Sequence, residues 1–181
     1  MNQTYAAHDL LFKIMISEAE IQERIREMGV ALTAKYQDKN PLFVGVLNGA
    51  FIFTADLMRA CSLACEVDFV RISSYAGLQS TGKIDLIMEL KTEIKDRHVI
   101  IVEDIIDTGK TLHYFIQELQ KREPASVAIA ALLLKPEALE YPMDIDFLGF
   151  EIPTKFVIGY GLDYDEQGRH LNAIYQLVEN E

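Results

Sequence analysis

His98-Val99-Ile100-Ile101-Val102-Glu103-Asp104-Ile105-Ile106-Asp107-Thr108-Gly109-Lys110-Thr111 is the stretch on which the fold turns. His98 to Val102 reads as a buried strand that stops at two adjacent acids, Glu103 and Asp104. Asp107 to Thr111 follow as a polar turn, and an amphipathic helix is expected to open at Leu112. Such a strand-to-helix junction offers free backbone N–H groups and the positive end of a helix dipole, which is what a phosphate monoester needs. Carboxylates beside a phosphate repel it, so Glu103 and Asp104 need another target. A ribose diol, which donates hydrogen bonds to carboxylate, and an oxygen-bound divalent cation are the natural candidates. The stretch asks for a sugar phosphate with free hydroxyls.

Working outward, Ser17 and Glu20 form a capping-box pattern before Ile21, Ile25, Met28 and Leu32, which recur at helical spacing. Leu42 to Leu47 reads as a buried strand, followed by Asn48-Gly49 and a helix from Phe51 to about Ala64. Glu66 to Ile72 and Asp85 to Leu90 read as strands, with Ser73 to Lys83 between them as a loop of unusual length. Val127 to Leu134 is the next strand and ends at Lys135-Pro136; Phe147 to Phe150 and Phe156 to Tyr160 are two short ones. Apolar strands alternating with helices predict an α/β fold, a mostly parallel twisted sheet flanked by helices. Ligands of such sheets lie beyond the carboxyl ends of the strands. Three strands end in polar residues there, at Asn48-Gly49, Glu103-Asp104 and Lys135, so one common site is expected.

At 181 residues, 50% of them hydrophobic, the chain suits a single domain with a full core. A net charge of −11 argues against nucleic acid or an anionic membrane as partner. The start of the chain lacks a basic n-region and a small-residue cleavage site, and no apolar run approaches membrane-spanning length, so a cytoplasmic protein is expected. Cys61 and Cys65, four apart in a predicted helix, suit buried reduced thiols. The four histidines have neither metal-ligand nor triad spacing.

Gly109-Lys110-Thr111 matches the end of a P-loop, but the glycine that motif requires earlier is Asp104. Val99 to Thr111 (VIIVEDIIDTGKT) instead resembles the phosphoribosyl pyrophosphate signature of the type I phosphoribosyltransferases. The likeness to their hypoxanthine-guanine branch extends to VGVLNGAFIF (44–53), ISSYAGLQSTG (72–82), Lys135, GFEIPTKFVIGYGLDY (149–164) and Arg169-His170-Leu171-Asn172. It implies one domain over 1–181, with a core at about 35–140, a small hood from the N-terminal segment and about 141–181, and a flexible loop. The implied reaction joins hypoxanthine or guanine to phosphoribosyl pyrophosphate, giving the nucleoside monophosphate and pyrophosphate. Two alternatives are a nucleotide-sensing regulator on the same fold and a xanthine-preferring enzyme.

The resemblance also distributes roles. Asp107, Thr108, Gly109, Lys110 and Thr111 would cradle the 5′-phosphate, while Glu103 and Asp104 hold the ribose hydroxyls directly or through Mg²⁺, with Asp163 as a further metal neighbour. Asp107 would take the purine N7 proton as the catalytic base, its proton affinity raised by the nearby phosphate, and it also suits a helix N-cap. Lys135 would donate to the purine O6, Phe156 would stack on the base, and Val157 and Asp163 would lie at its edge. Asn48 and Gly49 belong to the family's pyrophosphate loop, which often has a cis peptide before its second residue; Asn48 stands where many members carry Lys or Arg. Arg169 matches the arginine that approaches pyrophosphate, and Ser74 and Tyr75 match the lid. Mg²⁺ is the implied ion, the partners are small molecules, and family habit favours a homodimer or homotetramer.

Overall fold

The computed structural model describes residues 4–72 and 86–178. Strands β1 (Thr4–Ala7) and β2 (Leu10–Ile16) form an antiparallel hairpin ahead of helix α1 (Glu18–Tyr36). Ser17 Oγ accepts the Glu20 N–H at 3.3 Å and the Glu20 carboxylate accepts the Ser17 N–H at 2.9 Å, so the capping box starts α1 where the pattern predicts. There follow β3 (Leu42–Leu47), α2 (Phe51–Ala60), β4 (Glu66–Ile72), β5 (Leu86–Met88), β6 (His98–Ile106), α3 (Lys110–Gln120), β7 (Ser126–Leu134), β8 (Phe147–Glu151), β9 (Val157–Ile158) and β10 (Ile174–Leu177).

The main sheet has the order β5-β4-β3-β6-β7-β8 and is parallel except for β5. Helices α1 and α2 cover one face against Phe43, Ile100, Val102 and Leu132; α3 covers the other against Val44, Val99, Ile101 and Ile129. Because β6 and β7 are buried on both faces, their apolar runs show no alternation. A second sheet, β1-β2-β10-β9, forms the hood from both ends of the chain. Hood residues Ile16, Val157 and Ile174 belong to the same buried cluster as Ile100 and Phe53, so the two sheets share one core.

Several boundaries differ from expectation for physical reasons. Strand β6 does not stop at Val102: β7 keeps pairing with it up to Ile106↔Leu134, whereas pairing with β3 ends at Gly45↔Val102. Glu103 and Asp104 therefore lie inside the strand, along its one-sided end. Helix α3 begins at Lys110 rather than Leu112, because Gly109 adopts φ +77° and serves as its N-cap. Helix α2 stops at Ala60, so the two cysteines do not share a helix; both are free and half-buried. The core is also wider than 35–140, since α1 packs on α2 and β8 completes the main sheet.

Candidate active site

Strands β3, β6 and β7 are adjacent and parallel, so their polar ends emerge side by side at one edge of the sheet, as expected. Beyond β6 the turn is clamped from behind. The Thr108 carbonyl accepts the N–H groups of Glu140 and Tyr141 at 3.0 and 3.1 Å. A Cβ at Gly109 would come within 2.9 Å of Leu139 and of the Tyr141 carbonyl, so its positive φ and the tight packing both demand glycine. The first i→i−4 bond of α3 runs from the His113 N–H to the Gly109 carbonyl, which leaves the N–H groups of Thr111 and Leu112 ahead of it without an intrahelical acceptor. Glu103 and the 107–111 turn enclose a cavity of about 120 Å³ there. Asp107 does not cap the helix; the side-chain bond at this end is Lys110 N–H to Thr108 Oγ1, at 3.4 Å.

The two acids face different neighbours. Glu103 borders the turn cavity, and its Oε2 is shut away from solvent without a hydrogen-bond partner among the described residues. Burial, reinforced by the neighbouring Asp104 charge, pushes its pKa well above the carboxylate range. Asp104 lies against the β3 loop instead: a Cβ at Gly49 would sit 1.6 Å from its Oδ2, so only glycine fits there. Desolvation pushes the Asp104 pKa up to about 6; the Ile105 and Asp104 N–H groups and the Arg169 charge pull it down, and Asp163 adds repulsion. An orphaned buried oxygen and a second, half-buried acid form a hard, oxygen-only donor set, which fits Mg²⁺ or sugar hydroxyls.

Lys135 is only 9% exposed, and its Nζ donates to Asp107 Oδ2 at 2.8 Å. Two residues assigned separate roles from sequence are thus direct partners. The protein neighbour of Asp107 is an ammonium. The Lys135 N–H is itself held by the Ile106 carbonyl at 2.9 Å, which locks the end of β7 to the end of β6.

In the β3 loop the Leu47–Asn48 peptide is cis, and the loop runs into α2 through the Phe51 N–H to Asn48 carbonyl bond. Arg169 pairs with Asp163 at 2.9 Å and donates to the Gly161 carbonyl at 2.9 Å. Phe156 lies in the hood, 43% exposed, with its ring against Phe12 and edge-on to Tyr164. Val157 is buried and pairs with Gln176 in the hood sheet. Ser74 and Tyr75 lie outside the described residues. Among the described residues no three His, Cys, Asp or Glu side chains converge as a ready-made metal cage. Glu103, Asp104 and Asp163 therefore do not form one alone, and Asp163 is engaged with Arg169.

Known proteins resemble this chain over most of its length. Residues 16–165 match the phosphoribosyl transferase domain family. The hypoxanthine-guanine phosphoribosyltransferase of Bacillus subtilis is 44% identical over 168 residues, covering 92% of this chain and 93% of that protein. The chain belongs to the hypoxanthine-guanine phosphoribosyltransferase family. A crystal structure of the Bacillus anthracis hypoxanthine-guanine phosphoribosyltransferase superposes with a TM-score of 0.86 at 34% identity, covering 92% of this chain and 96% of that one. Another relative, the bifunctional protein TilS/HprT of Listeria innocua, is 44% identical over 92% of this chain, which spans 26% of that longer protein.

The stretch that resembles the family signature, Val99 to Thr111, is strand β6, its turn and the start of α3. The sequence reading missed Tyr160, Asp56, Gly161 and Tyr164 as parts of the site's framework. A signal was present in Gly159-Tyr160-Gly161, where two glycines bracket a tyrosine: all three adopt positive φ, and Gly161 packs on Gly49.

Proposed function

We propose that the chain transfers the 5-phosphoribosyl group from phosphoribosyl pyrophosphate to a 6-oxopurine, hypoxanthine or guanine, releasing pyrophosphate. One observation carries the choice of base: the Lys135 ammonium and the Asp107 carboxylate stand side by side, 2.8 Å apart, at the carboxyl edge of the sheet. The N7-protonated 6-oxopurine presents the complementary pair along one edge, an acceptor at O6 and a donor at N7. Such a base replaces each partner of the ion pair by a matching one, O6 for Lys135 and N7–H for Asp107. Adenine offers an amino donor to an ammonium that can only donate, and leaves that buried charge unpaired.

The chemistry then follows from the residues. Thr111, Leu112 and the turn hydroxyls hold the 5′-phosphate at the helix terminus, fixing the sugar. Glu103 supplies its unpartnered oxygen to a ribose hydroxyl, while Asp104, with Asp163 nearby, holds the other hydroxyl or Mg²⁺. When bound, Mg²⁺ neutralises charge on the departing pyrophosphate. As the C1–oxygen bond to pyrophosphate breaks, with its electron pair leaving on oxygen, N9 of the base forms the new bond to C1 and Asp107 accepts the N7 proton. Arg169 and the 47–50 loop meet the leaving group.

No helix among the described residues is long and apolar enough to cross a membrane, and a cytoplasmic enzyme is the reading adopted. A homodimer or homotetramer is the assembly proposed from the family resemblance, which light scattering would measure.

Incubation with phosphoribosyl pyrophosphate, Mg²⁺ and each of hypoxanthine, guanine, xanthine and adenine, followed by absorbance, tests the assignment. Nucleotide is expected from hypoxanthine or guanine and none from adenine. Asp107→Asn should keep binding but lower kcat by about 10²-fold, the scale of a positioned acid or base. Nucleotide formation from adenine, or undiminished turnover in Asp107→Asn, would overturn the roles given to this pair.

A further inference from the structure

The 47–50 loop and Arg169 lie far apart in the chain, and one part-buried hydrogen bond closes the framework that joins them. Tyr160, 3% exposed, sends its hydroxyl to Asp56 Oδ2 on α2 at 2.5 Å. The same oxygen accepts Gln22 Nε2 from α1 at 3.2 Å, so α1, α2 and the hood meet at one carboxylate. The residue after Tyr160 is in contact with both pyrophosphate elements. Gly161 donates its N–H to the Arg169 carbonyl at 2.9 Å and accepts from the Arg169 guanidinium at 2.9 Å. Its α-carbon also lies flush on the loop, where a Cβ would be 2.0 Å from the Gly49 carbonyl oxygen.

On the other side, α2 grows directly out of the loop. Thr54, wholly buried, donates both its N–H and its hydroxyl to the Ala50 carbonyl, at 2.8 and 2.7 Å. The connections form a closed ring: loop to α2 through Thr54, α2 to Tyr160 through Asp56, and Tyr160 to Gly161, which touches loop and arginine together. Cutting the Tyr160–Asp56 bond opens the ring at the hydrogen bond that joins the hood strip to α2. Burial raises the proton affinity of the Tyr160 phenol, so it remains a donor at working pH.

We infer that Tyr160, through its hydrogen bond to Asp56, is a positioning residue for the leaving group: it sets the spacing between Arg169 and the 47–50 loop that receives pyrophosphate. The inference rests on the assignment of those two elements to pyrophosphate made above. Tyr160 itself touches no substrate, and the purine side of the site, Lys135 and Asp107, is held separately by the β6–β7 pairing.

The test separates positioning from plain structural support. Tyr160→Phe and Asp56→Ala are expected to raise the Kd for Mg²⁺-pyrophosphate and the KM for phosphoribosyl pyrophosphate about five- to tenfold, the loss of one well-placed hydrogen bond. KM for the purine base should stay within about twofold, because Lys135 and Asp107 lie outside the ring and the backbone at Phe156 and Val157 is held by β10 rather than by the Tyr160–Asp56 bond. Asp56→Asn keeps a carbonyl acceptor for both donors and should hold pyrophosphate affinity within about twofold of the unaltered chain. Unchanged pyrophosphate affinity in Tyr160→Phe, or equal losses for purine and pyrophosphate, would overturn the inference. If the unaltered chain makes nucleotide yet binds no Mg²⁺-pyrophosphate, the assignment of the loop and Arg169 falls, and this inference with it.

Discussion

Asp104 illustrates how the site is maintained against stability. Its carboxylate is desolvated beside Glu103, and its folded pKa, up at about 6, exceeds the unfolded value near 3.8. A group raised in this way contributes its full stability below the unfolded pKa and loses it as pH rises through the folded one. At neutral pH the substrate-free chain therefore carries a destabilising charge that ligand hydroxyls or a cation would relieve. In metal-free buffer, Asp104→Asn should raise the thermal midpoint at pH 7.5 by at least about 3 °C, the shift 1 kcal/mol produces in a chain of this size. The gain should vanish near pH 4, and turnover should fall at every pH. Equal gains at both pH values would show that the effect is packing rather than charge. Gly49 belongs to the same argument: any side chain there would displace the Asp104 carboxylate, so loop and acid are one unit.

At the scale of elements, α1 and α2 show packing overriding helix propensity. Gly29 lies in the middle of α1, where alanine would gain about 1 kcal/mol of propensity. A Cβ at that position would nevertheless lie 2.5 Å from the Ala60 carbonyl oxygen, and backbone cannot swing aside as a side chain can. Overpacking of this kind costs about 1–3 kcal/mol and forces the helices apart. Gly29→Ala should accordingly lower stability, by up to about 2 kcal/mol in urea unfolding, net of the two effects. A stabilised variant would mean that the helices have room to separate. The displacement matters for function because α2 carries both the loop and Asp56, so altered pyrophosphate affinity should accompany the loss.

For the whole molecule, buried thiols and phenols set an alkaline limit. Burial pushes the Cys61 thiol up to about 11, with the nearby Cys65 adding to the rise, and raises Cys65, Tyr36 and Tyr160 as well. All these folded values exceed the unfolded ones, so each contribution is complete at pH 8; that of Cys61 is lost as pH climbs from about 9 to 11, and those of the phenols only at higher pH. The thermal midpoint should fall through that window, and Cys61→Ala should delay the fall; a flat midpoint would contradict it. The extent to which the molecule was legible beforehand follows from range along the chain. The strands Leu42–Leu47 and Glu66–Ile72, the capped start of α1 and the acidic strand-to-helix turn were readable because near neighbours dictate them. Hood strands β1, β2 and β10 were not, since the run Leu10–Ile16 is broken by Lys13 and its second partner, after the β1 hairpin, comes from residues 174–177 at the far end of the chain. The Lys135–Asp107 pair, separated by 28 residues, and the Tyr160–Asp56 bond, separated by 104, were equally hidden. Sequence alone determined the local alphabet: which segments are strand or helix, where the phosphate turn lies, and which residue types could do the chemistry, because backbone preference and side-chain period act over a few residues. Only the tertiary structure decided who meets whom, because contacts across the sheet edge and between hood and core depend on long-range burial that no local pattern encodes.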